Sequence, residues 1–429
     1  MVAGKDVCLR RLSKGDRALE VRFNRFLGHD KVTPERIIKS WSESTVAAVE
    51  GRHVLAIQDT SEIHFNTTAR RRRGLGEIGK GNHHGVLLHP MLAVDADNGA
   101  CLGLLSGEVW TRQGRRTVSH DKRDLSDKES QRWIAAALAA KPLLRTAAMV
   151  TVLGDRESDI FALYASASEH QFHVIARSMH DRKLADQSGL YAACDAMAAV
   201  DRRVVQLPAR TQRPARQAQF ELRFGSIELA RPQTKWLRHL PESLSLSFVD
   251  VREVDAAQNV EPLHWRLLTS HGIANAEDAW RIVDWYKQRW IIEQFFRVLK
   301  TQGFRLEDSQ IGTADRLLKL VAIAAKAAVI TIQLLHARDG GQQPLHIAFN
   351  PGEVAALSAL NQQLEARSKR LKNPHPSDSL AWAAWIIGRL GGWDGYPSSK
   401  PPGPITFKNG LEYFHAVAVG WSLRHVCMP

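Results

Sequence analysis

Two apolar runs constrain this chain most: HVLAIQDT, from His53 to Thr60, and MVTVLGD, from Met149 to Asp155. Each reads as a strand buried in a sheet, and each ends in an aspartate, Asp59 and Asp155. From His84 to Asp95 and from Ala100 to Thr111 run two more strand-like segments, joined by Asp97, Asn98 and Gly99, a strong hairpin turn. These make neighbours for the first run. Ser126 and Glu129 form a capping box that opens an Ala-rich helix ahead of the second run. A short helical stretch from Ser158 and a strand near His173 to Arg177 complete a β-β-β-α-β-α-β order, which fits an α/β mixed-sheet core.

The segments around this core differ in character. After a basic start, Thr33 caps a helix with Pro34 at its first position. Between about Asp181 and Pro262 the pattern alternates, as in Gln217 to Phe224 and Leu244 to Val254, which reads as a β-rich insertion. Within it, residues 201–240 hold nine Lys and Arg against three Asp and Glu. From Asn275, a good N-cap, one long helical pattern runs to about Lys300, and another covers Asp315 to His336. From Pro344 on, the chain reads as helical but Pro-broken. The expected divisions are a short N-terminal helical segment (1–50), the first part of the core (51–180), the inserted β-rich subdomain (181–262), the second part of the core with its long helix (263–340), and a helical C-terminal region (341–429).

Length and composition bound the function. The 429 residues make two or three domains, and 44% hydrophobic content suffices to bury cores. Fifty-eight Lys and Arg against 45 Asp and Glu leave a net charge of +13, a field that favours polyanions, most simply nucleic acid. The four cysteines, Cys8, Cys101, Cys194 and Cys427, are far apart, which indicates neither a zinc site nor a disulfide framework and fits a reduced cytoplasm. The N-terminus has no apolar signal region, and no apolar run approaches the roughly 20 residues of a spanning helix, so export and membrane insertion are not expected.

Two motif matches fail on context. Gly74 to Gly79, GLGEIG, satisfies a dinucleotide fingerprint and nearly extends to a P-loop, but Gly81 stands where Ser or Thr is needed and the segment leads into a strand. No cofactor-binding residues of that kind are expected. Arg70 to Arg73 read either as a basic loop that contacts phosphate or as a solvated charge run. His83, His84 and His89 lack acidic or Cys partners at ligand spacing and read as strand or surface histidines.

On the helix from Asn275, the residues Tyr286, Arg289, Glu293, Arg297 and Lys300 are spaced 3, 4, 4 and 3, and so share roughly an 80° arc. Trp280, Ile291, Phe295 and Val298 occupy the opposite side and would bury it. Taken alone, such a face is either functional or an ordinary salt-bridged surface. The two strand-end aspartates weigh against the ordinary reading. A carboxylate at each of two adjacent strand ends, with a helical Glu opposite, makes an all-oxygen site suited to Mg²⁺, with Mn²⁺ also accepted. Two such ions can activate a nucleophile and stabilise the leaving oxygen in phosphodiester cleavage.

These residues resemble the DDE transposases of the insertion sequence four family, the Tn-five type. The family's signature is Tyr, two residues, Arg, three residues, Glu, six residues, Lys, and Tyr286, Arg289, Glu293 and Lys300 reproduce every gap. Asp59-Thr60 matches the family's strand ending DT, and Asp155 to Asp159 matches its DRExD stretch. EPLHWRLLT, with Trp265, matches an EPxxWxLLT context, and Arg177 matches a basic residue on the strand after the second Asp. The similarity runs from about Phe23 to the C-terminus, including RLGGW and GWSL.

The resemblance implies an RNase H-like core interrupted by a β-strand insertion before the catalytic Glu, and a helical C-terminal region used for dimerisation. It implies an enzyme that nicks double-stranded DNA at a transposon end, closes a hairpin, reopens it and joins the end to target DNA, as a homodimer in a synaptic complex. Asp59, Asp155 and Glu293 would be catalytic and hold the metals. Tyr286, Arg289, Arg297, Lys300 and Arg177 would contact DNA. Trp265 would stack on a flipped base, or serve only as a core strand Trp. Family members usually carry a longer N-terminal end-recognition domain, whereas 58 residues precede Asp59 here. An alternative is therefore a shortened, dimerising inhibitor without end recognition, and a third is a stand-alone structure-specific nuclease with the same residues.

Overall fold

The computed structural model describes residues 6–65, 74–79, 83–112, 131–209, 214–256, 261–341, 343–365, 371–396 and 398–423. Its strands are β1 (His53–Gln58), β2 (Ser61–His64), β3 (Gly76–Ile78), β4 (His83–Asp95), β5 (Cys101–Trp110), β6 (Met149–Gly154), β7 (Phe172–Arg177), β8 (Asp201–Leu207), β9 (Arg216–Ala230), β10 (Ser243–Val254) and β11 (His264–Thr269). They form one eleven-stranded mixed sheet in the order β2-β4-β1-β6-β7-β11-β10-β9-β8, with β3 and β5 also paired to β4. The pairs β1–β6 and β6–β7 are parallel and the others antiparallel.

The helices are α1 (Leu9–Leu12), α2 (Arg17–Leu27), α3 (Pro34–Lys39), α4 (Glu43–Ala48), α5 (Gln131–Ala140), α6 (Phe161–Ala167), α7 (Leu190–Ala196), α8 (Ala276–Lys287), α9 (Trp290–Lys300), α10 (Ala314–Ala337), α11 (Pro351–Leu364), α12 (Leu380–Leu390) and α13 (Pro404–Leu423). They cover both faces of the sheet, which explains why β1 and β6 read as continuous apolar runs instead of alternating ones. Along β1, Val54 and Ala56 join a core with Ile134, Phe161, Trp385 and Phe414, while Leu55 and Ile57 join another with Trp280, Phe295 and Leu320. Successive side chains of a strand point to opposite faces, so one six-residue strand anchors two cores.

Local chemistry set many boundaries as the sequence predicts. The Thr33 hydroxyl accepts from Arg36 N at 3.3 Å and caps α3, and Asn275 Oδ1 accepts from Asp278 N at 3.0 Å and caps α8. The β4–β5 turn carries Gly99 at φ +71°, the left-handed conformation that glycine adopts without a Cβ penalty. Gly76 serves a close approach: a Cβ there would meet Arg112 O at 1.6 Å, and its segment is strand β3, not a phosphate loop.

Several features differ from expectation. Strands β2 and β3 lie between the first two predicted strands and were not foreseen. Helix α7 falls within the segment read as β-rich, whose strands β8, β9 and β10 extend the core sheet through β11. The capping box at Ser126 and Glu129 and the basic run Arg70 to Arg73 lie outside the described residues. The long helix from Asn275 is broken: Gln288 N bonds Trp285 O and Arg289 N bonds Tyr286 O, so three-residue bonds replace four-residue ones and α9 starts anew at Trp290.

Helix α10 corrects the view that no run is long enough to span a bilayer. Its 24 residues meet that length and apolarity, but 78% of the apolar window is buried inside the fold. It is the central core helix. The Nζ of Lys326 on α10 donates to Trp41 O at 2.7 Å, and the Trp41 indole donates to Ala322 O at 3.1 Å, which ties the N-terminal helices to it.

Between the sheet and α8 lies a row of imidazoles. The Thr151 hydroxyl is within 2.8 Å of both His53 Nε2 and His271 Nε2, His173 stacks on His271 at 3.8 Å, and the Trp285 ring meets His53 edge-on at 4.5 Å. Burial pushes His53 down to about 4 and His271 down to about 2, so both rings are neutral in the fold. In the unfolded chain they protonate below about pH 6.5. Stability is therefore kept above that pH and lost as pH falls from 6.5 toward 4. Urea midpoints measured across this range should decline, and His271→Asn should flatten the decline.

Candidate active site

The parallel pairing of β1 with β6 runs at a constant offset, Val54 opposite Val150 and Ile57 opposite Leu153. Continued two residues, it sets Asp59 opposite Asp155, both where their strands end. Asp155 then caps a 3-10 turn, Arg156–Ser158, with Oδ1 accepting from Glu157 N at 2.8 Å. Gly154 makes this turn possible, since a Cβ there would lie 2.2 Å from Ser158 Oγ. Asp59 Oδ1 accepts from Thr60 N at 2.8 Å.

Arg289 sits at the break between α8 and α9, where it faces both the strand ends and the first turn of α9. Its Nη1 donates to Asp59 Oδ2 at 3.0 Å, and both terminal nitrogens lie 3.4 Å from Glu293 Oε1. Burial first, then the Asp155 charge, push the Asp59 carboxyl up to about 7. Arg289 opposes that rise and Glu293 adds to it. Asp59 thus feels both other carboxylates, and a single guanidinium is the cation between two of them.

Among the described residues, no group of three His, Cys, Asp or Glu side chains is drawn together closely enough to hold a metal ion. The donor chemistry nevertheless fits one. The carboxylates are hard oxygen donors, and Asp59, raised by burial first and then by the Asp155 charge, is a group whose ionised form a divalent cation would favour.

The remaining predicted residues are Tyr286 with Trp265, Arg177, Lys300 and Arg297. Tyr286, 5% exposed, ends α8 beside Trp265, their rings 5.3 Å apart and edge to face. Burial pushes the Tyr286 phenol up to about 12, and it shares the electrostatic neighbourhood of Arg289, Arg177, Asp155 and Asp59. It is therefore a protonated hydroxyl at neutral pH. Arg177 ends β7, one strand beyond β6, and its Nη2 donates to His264 O at 2.7 Å. Burial lowers its pKa, as does Arg156. Lys300, lowered by burial, lies near Glu307 and Glu62 as well as Glu293. Arg297 is exposed and lines a different cavity, of about 560 Å³, with Gln294 and Gln302. Asp59, Asp155, Tyr286, Arg289, Glu293 and Arg177 are thus brought together with Trp265 at the rim, and Arg297 faces elsewhere.

Several contributors escaped sequence reading. Glu62 and Glu307 shape the field around Lys300, and Glu307 Oε1 accepts from His64 N at 3.1 Å. Asp159 lies in the matched DRExD stretch, yet its carboxylate points inward. It accepts from Met179 N at 2.9 Å and pairs with Arg182 at 3.0 Å, locking the loop after Asp155. His89 lies on β4, as the strand reading of it has it, and what the sequence did not show is its burial with two polar partners.

Residues 128–330 match the family model of the Transposase DDE domain. The matched stretch is a little under half of the 429 residues, and what it is similar to is a transposase domain. It contains Asp155, Arg177, Trp265, Tyr286, Arg289, Glu293, Arg297 and Lys300, and it begins after Asp59. Among solved structures, a chain of a piggyBac transposase synaptic complex with hairpin DNA is similar at 8% identity and a TM-score of 0.34, over 89% of this chain and 55% of that one. This chain thus spans about half the length of that relative.

Asp159→Ala should strip the part-buried Arg182 of its carboxylate and leave Met179 N without its acceptor, at a cost of about 1–3 kcal/mol of stability. Urea unfolding of the variant measures it. An unchanged midpoint would mean that Asp159 does not lock the loop.

Proposed function

We propose that this chain is a cut-and-paste DNA transposase of a bacterial insertion sequence, of the insertion sequence four type. Its core is of the RNase H-like kind, and Asp59, Asp155 and Glu293 hold divalent ions, Mg²⁺ or Mn²⁺. The observation that carries this reading is the register of β1 on β6: it sets two carboxylates at adjacent strand ends with Glu293 in their field. The Transposase DDE match over residues 128–330 and the Tyr286–Arg289–Glu293–Lys300 spacing support it.

When bound, the divalent ions would activate a phosphodiester toward attack by an oxygen nucleophile. The chain's own residues do the rest. Asp59 and Asp155 hold their positions because the strands are buried and their carboxylates are tied to backbone N–H groups at 2.8 Å. Arg289, whose carboxylate partners would turn to the ions when these are bound, supplies a guanidinium that can take a phosphate in two-point contact. Lys300 adds positive charge on the same side. Tyr286 offers a hydroxyl proton to a phosphate oxygen, and Trp265 offers a ring face to a base turned out of the duplex.

The reaction proceeds in four displacements. Water opens one strand at the element's end and leaves a 3′-OH and a 5′-phosphate. That 3′-OH attacks the opposite phosphodiester, which closes a hairpin and releases the flanking strand. Water reopens the hairpin, and the freed 3′-OH attacks target DNA, displacing a target 3′-OH. Two ends cut and joined together require two active sites, hence a homodimer holding transposon ends and target. A bacterial cytoplasm, at the nucleoid, is the compartment where these substrates lie.

Incubated with Mg²⁺ and labelled DNA carrying the element's own ends, the protein should give nicks and hairpins on a denaturing gel. Glu293→Gln should lower cleavage by about 1000-fold or more, the loss of several kcal/mol of transition-state stabilisation, while DNA binding by gel shift stays near wild type. Loss of binding and cleavage together would argue against a catalytic Glu293. Trp265→Ala should leave nicking intact and reduce hairpin formation by about 10-fold, the value of one base–aromatic stack. Equal loss of both products would reduce Trp265 to a packing residue.

A further inference from the structure

A buried polar chain runs beneath Asp59. Antiparallel β1 and β4 pair Gln58 with Met91 and Ile57 with Leu92, and this register, continued past the end of β1, sets Thr60 across from His89. The side chains meet: Thr60 Oγ1 lies 2.8 Å from His89 Nδ1, and His89 Nε2 lies 3.1 Å from Gln58 Oε1. His89 is 1% exposed and Gln58 is wholly buried, with the Trp133 ring edge-on to the imidazole at 4.9 Å. Such a chain is costly to bury unless its members satisfy one another, and here the Gln58 Nε2 amide is left without a partner among the described residues.

The proton positions follow from the partners. The Gln58 carbonyl oxygen only accepts, so Nε2 of the imidazole carries the hydrogen. Nδ1 is then the acceptor, and the Thr60 hydroxyl must donate to it. Burial, with Arg132 nearby, pushes His89 down to about 3, which keeps the ring in this neutral form. The Thr60 side chain is thereby held to one rotamer. Its own backbone N–H in turn donates to Asp59 Oδ1.

We infer that His89 is a positioning residue for Asp59: through Thr60 it fixes the direction in which the Asp59 carboxylate meets a divalent ion. The inference rests on the reading of Asp59 as a metal ligand. Gln58, Asp59 and Thr60 alternate around the strand end, so the buried pair Gln58–His89 fixes the backbone on one side and the carboxylate emerges on the other. A ligand aimed by such outer partners loses affinity when they are removed, typically 10–100-fold.

The test is a titration of the full-length protein with Mn²⁺, reading free ion by electron paramagnetic resonance, with Asp59→Asn as the control that identifies the site. Thr60→Val keeps the shape and deletes the hydroxyl, and His89→Phe keeps a ring and deletes both nitrogens. Each should weaken Mn²⁺ binding about 10-fold, Thr60→Ser should bind as wild type does, and the double variant should be no weaker than either single one. Thr60→Val is the decisive variant, since its site is only half buried and its fold is checked by circular dichroism. Wild-type affinity in Thr60→Val, or fully additive losses in the double variant, would overturn the inference. A wild-type protein that binds no Mn²⁺ at Asp59 would overturn it as well. The expected binding losses without cleavage of any DNA would sink the transposase reading and leave the positioning role standing.

Discussion

Parallel pairing between β1 and β6 is the constraint on which the site depends. A parallel ladder points both strands the same way, so their last residues emerge at one edge of the sheet. The constant offset then makes Asp59 and Asp155 neighbours without any contact between their side chains. A shift of one residue would turn one carboxylate toward the opposite face, because strand side chains alternate. Register is strongly specified here because both faces are buried: Val54 and Ala56 fill one core, Leu55 and Ile57 the other.

Burying a carboxylate beside a like charge has a cost, and Asp59 carries it: burial first, then the Asp155 charge, raise its carboxyl. Burial and the Asp155 charge both favour its protonated form, against one guanidinium. A fold selected only for stability has no reason to place carboxylates this way, since like charges in a low-dielectric setting destabilise it. Perturbed carboxylates of this kind cluster at functional sites. Arg289 balances Asp59 and Glu293 at once. The break between α8 and α9 lets it do so, because Arg289 occupies neither helix's regular ladder.

The surrounding architecture holds these groups still. Helix α9 buries Ile291, Phe295 and Val298, so Glu293 rises from a rigid stem. Helix α10 supports it from behind and links the N-terminal helices to the sheet through Trp41 and Lys326. Two other buried carboxylates do a different job from those of the site: Asp159 locks the loop after Asp155 onto Arg182, and Asp250, wholly buried on β10, binds Arg252, Arg266 and His264. Their burial and their ion pairs with arginines mark them as scaffolding.

Local chemistry made much of this legible in the chain itself. Apolar runs ending in Asp59 and Asp155, the caps at Thr33 and Asn275, the Asp97–Gly99 turn and the Tyr286–Lys300 spacing are short-range properties, decided by side-chain size, backbone freedom and helical period, and they appear in the structure near where the sequence put them. What no local pattern could decide was long-range. Strands β8 to β10 read as an insertion, but only pairing through β11 joins them to the core sheet. Charged spacing put Arg297 beside Glu293, yet packing of α9 against α10 and the β4–β5 turn faces it to another cavity. His89 looked like any strand histidine until β4 laid it across from Thr60. The sequence by itself determined the elements and the chemical identity of the candidate ligands, because those follow from neighbouring residues. The tertiary structure decided which groups meet, because register and helix packing are set by the simultaneous burial of residues hundreds of positions apart.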